Sequence, residues 1–177
     1  MKYLLLTIFS VLSFTFYGQT KSTKNDSLKN IIKQNTKAIK INSNNAIAYK
    51  ARAKAKLGLE DYKGALKDYD KAIELNPKYD SAYVGRGITK EKLNIENAID
   101  DFIKAAELNP QSDIAYFNMG EKDFRLEDYT KAIEDYTKAI DANPKLARAY
   151  TQRGYSKRFL KDYNSALTDC SKAIVLD

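Results

Sequence analysis

The stretch DYKGALKDYDKAIELNP, residues 61–77, decides the fold. Within it Ala65, Tyr69, Ala72 and Ile73 recur at steps of three and four, so they share one stripe of a helix. Asn76-Pro77 stops that helix, because a residue before proline is pushed out of the α region and proline cannot extend the hydrogen-bond ladder. Nearly the same wording returns at residues 127–144, EDYTKAIEDYTKAIDANP. Asn-Pro pairs stand at Asn76-Pro77, Asn109-Pro110 and Asn143-Pro144, so the prolines lie 33 and 34 residues apart. A fixed period of this length marks a repeat architecture.

Working outward, four units align: 46–79, 80–112, 113–146 and 147–177. The fourth residue of each is tyrosine (Tyr49, Tyr83, Tyr116, Tyr150), and the eighth is small (Ala53, Gly87, Gly120, Gly154). Two alanines seven apart follow: Ala65 and Ala72, Ala98 and Ala105, Ala132 and Ala139, Ala166 and Ala173. Between them sits Tyr69, Phe102, Tyr136 or Cys170. A turn aromatic precedes the first alanine (Tyr62, Tyr129, Tyr163), with Ile95 in its place in the second unit, which is one residue short. Each unit therefore predicts two antiparallel helices, in the first unit roughly 46–58 and 62–75. The alanines allow close approach and the rings fill the gaps. Gly58 is expected to take a left-handed cap conformation in the turn.

This pattern resembles the tetratricopeptide repeat family over about residues 46–177. The resemblance implies an all-α, helical-hairpin solenoid wound as a right-handed superhelix. Nine helices are expected after residue 26, and no strand, because every unit repeats helical spacing and none shows period-2 alternation. The chain departs from the family where a large residue usually precedes the small eighth position. Here stand Arg52, Arg86 and Arg153, with Met119 in the third unit. Each second helix also carries an aspartate (Asp68, Asp101, Asp135, Asp169). These Arg and Asp residues are expected to pair, because a buried charge needs a partner.

Residues 19–45 read as a basic linker and an N-terminal capping helix. The helix is expected over 27–42, with Asp26 or Ser27 as N-cap and Ile31, Ile32, Ala38, Ile39 and Ile41 as the packing stripe. Residues 1–18 read as a secretory signal peptide. Lys2 supplies the positive start, an apolar run spans 3–16, and Gly18 offers a small residue for cleavage. The segment resembles bacterial export signals and implies a periplasmic or secreted protein. An uncleaved segment anchoring the chain in a membrane is the alternative.

The formal charge of +7 divides into +1 from Lys2, +5 from 19–45 and +1 from 46–177. A nearly neutral repeat region gives no nucleic-acid footprint. Within it, residues 2, 5, 9, 12 and 13 of each unit share one face of the first helix. The resemblance assigns that face to the lining of the concave groove. It carries Lys50, Lys54, Lys92, Arg125, Arg148 and Arg158 against Glu91 and Glu121. Ile47, Val84, Ile88, Ile114, Phe117, Phe124, Tyr155 and Phe159 add apolar surface. A peptide or helix with acidic and apolar side chains suits such a face. The expected binding residues are Lys50, Lys54, Val84, Ile88, Ile114, Phe117, Asn118, Arg125, Arg148 and Tyr155, with Phe117 as aromatic anchor. The carboxylate clamp of the family's chaperone-binding members is not completed by any window of these helices.

Catalysis has little to stand on. The chain has no histidine, no Gly-rich phosphate loop and one cysteine, Cys170, at a packing position. No enzyme activity, cofactor or metal is expected. The expectation is an adaptor or scaffold for a protein partner. The competing expectation is a structural subunit of an envelope assembly, joined to a partner or a second copy through Ile174 and Leu176 at the C-terminal end.

Overall fold

The computed structural model describes residues 23–177, so the signal reading of 1–18 lies outside the described residues. Among the described residues there are nine α-helices and no strand. They are α1 (23–41), α2 (Ala46–Gly58), α3 (Tyr62–Leu75), α4 (Asp80–Lys92), α5 (Ala98–Leu108), α6 (Asp113–Arg125), α7 (Tyr129–Ala142), α8 (Ala147–Phe159) and α9 (Tyr163–Leu176). None of them is long and apolar enough to cross a membrane.

The chain divides into two compact units, one up to Leu75 and one from Asn76 onward. In the first, α2 and α3 form a hairpin. Helix α1 reaches the end of α2, where a side chain on Gly58 would meet Leu28 Cδ1 at 3.0 Å. Helix α1 already runs from residue 23, so Asp26 and Ser27 lie inside it and do not cap it. Its stripe holds for Ile31, Ile32, Ala38 and Ile39, which are half-buried, but Ile41 at the end of the helix is 88% exposed.

In the second unit α4/α5, α6/α7 and α8/α9 form hairpins, and α5 on α6 and α7 on α8 stack each hairpin on the next. The fold is an all-α helical solenoid. Its core follows the repeat. Ala105, Ala132 and Ala139 are fully buried, and Tyr136 and Phe102 are the largest side chains that are fully buried. The small eighth position is required by those rings. A side chain on Gly87 would come within 2.7 Å of Phe102, and one on Gly120 within 2.8 Å of Tyr136. Cys170 is half-buried against Gly154.

The turns correct the expectation for Gly58. It is the last residue of α2 and has no positive φ. The left-handed residue is instead Glu60 (φ 64°), repeated at Asn94 (53°), Glu127 (61°) and Lys161 (65°). Each turn closes by the paired bonds of a Schellman motif. In the first repeat Asp61 N–H donates to Lys56 O at 2.9 Å and Glu60 N–H to Leu57 O at 3.1 Å. These bonds satisfy the last helical carbonyls and hold a non-glycine residue at positive φ. Gly58 is small because α1 packs there.

The short second repeat loses more than one residue's worth of helix. In α3, α7 and α9 the tyrosine opens the helix and the aspartate before it caps it: Asp61 accepts from Gly64 N–H, Asp128 from Lys131 N–H and Asp162 from Ser165 N–H. Helix α5 starts only at Ala98 and has 11 residues where α3, α7 and α9 have 14. Asn97 before it is left-handed (φ 66°) and makes no side-chain cap. The whole first turn is missing, and Ala98 is only half-buried.

Two of the three Asn-Pro pairs do a second job. Asn109 Nδ2 donates to Asp80 Oδ2 at 2.9 Å, and Asn143 Nδ2 to Asp113 Oδ2 at 2.7 Å. Each ties the end of a repeat to the start of its own first helix.

Candidate protein-binding surface

The charged residues of the helix pairs separate into structural and exposed sets. Arg52 holds Asp68 through two hydrogen bonds of 2.7 and 2.6 Å, and Lys56 adds an ion pair at 2.8 Å. Arg86 holds Asp101 the same way, with Lys90 at 2.9 Å. Arg153 holds Asp169 at 2.8 and 2.7 Å, with Lys157 at 2.8 Å. The expected Arg–Asp pairing is therefore present in three repeats. Bidentate geometry and a second cation offset the cost of burying the carboxylate. Burial works to raise the Asp169 pKa, but the bonds from Arg153 and Lys157 outweigh it and hold it below its ordinary value.

The third repeat breaks the pattern. Met119 replaces the arginine and Asp123 the lysine. Asp135 keeps Lys138 at 3.0 Å, and Asp123 keeps Lys131 at 3.2 Å. Asp135 Oδ2 is buried without a hydrogen-bond partner. Burial accordingly raises the Asp135 pKa, and Lys138 only partly counteracts it.

The expected binding residues part company in a similar way. In the first unit, Lys54 of α2 is exposed and Lys50 is half-buried. In the second unit, Val84 and Phe117 are each only 8% exposed. Phe117 packs with Ala132 and Tyr136, its ring 5.6 Å from that of Tyr136. It is a core residue, which corrects its assignment as a ligand-facing anchor. The fifth position of the repeat points partly toward the next helix, so a large ring there is drawn into the hairpin contact. Val84 corrects in the same way, and Ile88 is half-buried against the cluster of Val84, Ala105 and Ala115.

Ile114, Arg125, Arg148 and Tyr155 remain exposed, and Asn118 is half-buried. Asn118 Nδ2 is bonded to Ile114 O at 2.7 Å within α6. Arg125 pairs with Glu91 at 2.6 Å. Arg148 spreads its guanidinium over the Phe117 ring, 4.2 Å from the centroid, so that the core ring supports an exposed cation. Glu121 is not a loose counter-charge. It accepts from the buried Tyr136 hydroxyl at 2.7 Å and from Gln152 Nε2 at 2.6 Å. Burial first, and this bond to Glu121 second, push the Tyr136 pKa well above the usual phenol range.

Two turn-side features were not legible as sites in the sequence. Phe124, Tyr129 and Phe159 form a cluster, with Tyr129 and Phe159 stacked 4.6 Å apart and nearly parallel at 5°, and Phe124 edge-on to both. At the corresponding positions one repeat earlier stand Glu91, Ile95 and Arg125, beside a cavity of about 550 Å³. The only sequence signal for that cavity is the missing residue in the second repeat.

Three family profiles match along this chain: "TPR repeat" over residues 56–94, and "Tetratricopeptide repeat" over 114–146 and again over 147–177. The chain belongs to the tetratricopeptide repeat family. No curated protein matches it. Among solved structures, a crystal structure of MamA protein superimposes with a TM-score of 0.71 at 26% identity, covering 90% of this chain and 87% of that one. MamA 41-end from Desulfovibrio magneticus RS-1 gives 0.67 at 20% identity, covering 86% and 94%. YrrB, described as a TPR protein with an unusual peptide-binding site, gives 0.65 at 22% identity, covering 86% and 79%. These likenesses agree with the helix-hairpin repeat found here. Membership of this family makes the chain a protein-interaction repeat protein.

Proposed function

We propose that this protein is a non-catalytic adaptor that holds a peptide or helix of a protein partner against the exposed face of α6 and α8. The observation that carries the reading is Arg148 seated on the Phe117 ring, with exposed Ile114 one turn before Phe117 on α6 and exposed Tyr155 two turns beyond Arg148 on α8. An arginine held flat by a buried ring loses little freedom when it meets a carboxylate. Tyr155, 46% exposed, supplies an amphipathic contact surface. The fitting partner carries acidic and apolar side chains. The YrrB description of a peptide-binding site on the same fold is consistent with this use. We place the protein outside the cytoplasm, exported through residues 1–18, with membrane anchoring by that segment as the alternative.

The test is a photo-crosslinking residue placed at Tyr155 and, as a control, at Ile103, which is exposed on α5. The reading expects one adduct at Tyr155 that is absent at Ile103. Equal adducts at both positions, or none at Tyr155, contradict it.

A second reading rests on α9. Ile140 of α7 is 7% exposed, whereas Ile174, its counterpart in α9, is 78% exposed, beside Val175 at 79% and Leu167 at 69%. That face suits a structural joint to a partner or a second copy. Self-association abolished by Ile174→Glu supports it, and an unchanged monomer at high concentration removes it.

A further inference from the structure

We propose that the second repeat carries a slot for an aromatic side chain of a partner polypeptide, seated where the sister repeats place their own tyrosine. The slot lies on the turn side of α4 and α5, uses none of Ile114, Arg148 or Tyr155, and is independent of the surface above.

The sister repeats supply the template. In the third, Tyr129 opens α7 and packs edge-on against Phe124 at 5.5 Å and face-on against Phe159 at 4.6 Å, and those two rings also touch each other at 5.7 Å. The second repeat lacks the tyrosine-bearing turn, since α5 starts at Ala98. Ile95 stands in for the ring but lies outside the helix and is 42% exposed. What remains is the cavity of about 550 Å³, lined by Ile95, Ile99 and Phe102 and walled by Glu91 and Arg125. Phe102 is 1% exposed overall, so only an edge of its ring reaches the cavity. An apolar surface at the floor of an open gap with room for a ring gains from a planar apolar side chain, which buries much area while losing few rotamers.

Charge selects what accompanies the ring. Glu91 is neutralised by Arg125 at 2.6 Å. Lys92 and Lys122 also line the cavity against Glu96, all three exposed, so its rim keeps an excess of one positive charge. An acidic residue beside the aromatic one therefore fits. The same pair stands in the repeats that fill this place internally, Asp61-Tyr62, Asp128-Tyr129 and Asp162-Tyr163, where the aspartate caps its helix. The occupant is thus a segment of a protein partner presenting an Asp-Tyr or similar acidic-aromatic pair.

The probe is a capped peptide LEDYTKA, the sequence of residues 126–132, with a version in which alanine replaces the tyrosine. It is titrated into the full-length protein and followed by amide chemical shifts and fluorescence anisotropy. The proposal expects saturable shifts centred on Ile95, Ile99 and Lys122, and binding of the alanine peptide weaker by about tenfold or more, since an anchoring ring carries most of such a contact. Replacing residues 94–97 by the sequence of 127–131 restores the missing turn. That variant is expected to lose peptide binding by a similar factor while melting at a higher temperature. Lys122→Glu is expected to weaken binding and flatten its salt dependence. The proposal is overturned by equal affinity for the two peptides, by shifts that do not saturate or lie elsewhere, or by undiminished binding to the restored-turn variant. Dimerisation of the wild type that the restored turn abolishes places a second copy in the slot and likewise overturns it. Arg148→Ala and Tyr155→Ala leave this binding unchanged, so its failure and that of the adaptor surface are separately visible.

Discussion

Arg153 grips Asp169 through hydrogen bonds of 2.8 and 2.7 Å, and no such grip exists between their counterparts Met119 and Asp135. The repeats share a backbone plan but not a charge plan, and the third carries a buried carboxylate oxygen that the others have paired.

Met119→Arg is expected to stabilise the protein by about 1.5–3 kcal/mol, the range for a hydrogen bond to a charged group. Urea denaturation measures it. The same midpoint or a lower one shows that Met119 packs in a way arginine cannot follow.

The two aspartates have opposite pH signatures. The Asp135 pKa is raised above its ordinary 3.8, so its favourable contribution is full below 3.8 and is lost as pH rises through the higher folded value. The Asp169 pKa is lowered, so its contribution is present above 3.8 and is lost as pH falls through the lower folded value. Asp135→Asn is expected to remove stabilisation on acidification toward 3.8, whereas Asp169→Asn removes the loss below it. Denaturation midpoints across that range, with identical slopes for both variants, contradict the assignment.

Ala132→Leu is expected to cost about 1–3 kcal/mol, because added methylenes at a close helix contact force strain. Ala132 is fully buried, and Ala142, on the last turn of the same helix, is half-buried. Ala142→Leu is expected to cost less. Equal midpoints for the two variants contradict the register of α7.

The mature protein is expected to lack residues 1–18, as the apolar run is short and a polar segment follows it. Intact mass of the purified cell-envelope protein decides this. A mass that retains Met1 to Gly18 favours the anchored alternative.

The period carried most of the fold. Asn-Pro spacing, the alanine pairs and the fourth-position tyrosines placed every helix pair, because these positions are set by contacts that recur in each repeat. The left-handed turn residue was misplaced at Gly58, because the Schellman bonds that hold Glu60 depend on where α2 ends and not on residue type. The surface was less legible. Phe117 varies between units as a binding residue would, yet it is buried, since helix spacing alone does not say how far a side chain leans toward the next helix. Glu121 looked like a surface charge because its partners, Tyr136 and Gln152, lie 15 and 31 residues away. The cavity of the second repeat was visible only as one absent residue, and its size follows from the loss of a whole helical turn.

The central claim is that the exposed face of α6 and α8 holds the partner while the core beneath it carries the fold. Thermal stability and partner binding measured together on Tyr155→Ala, Arg148→Ala and Phe117→Ala test it most directly. The account predicts that Tyr155→Ala and Arg148→Ala melt like the wild type and weaken binding, the arginine variant in a more salt-dependent way. Phe117→Ala is predicted to lose about 3–5 kcal/mol of stability, as for a buried ring. Unchanged binding by the Tyr155 and Arg148 variants, with either of them melting early, would contradict the account.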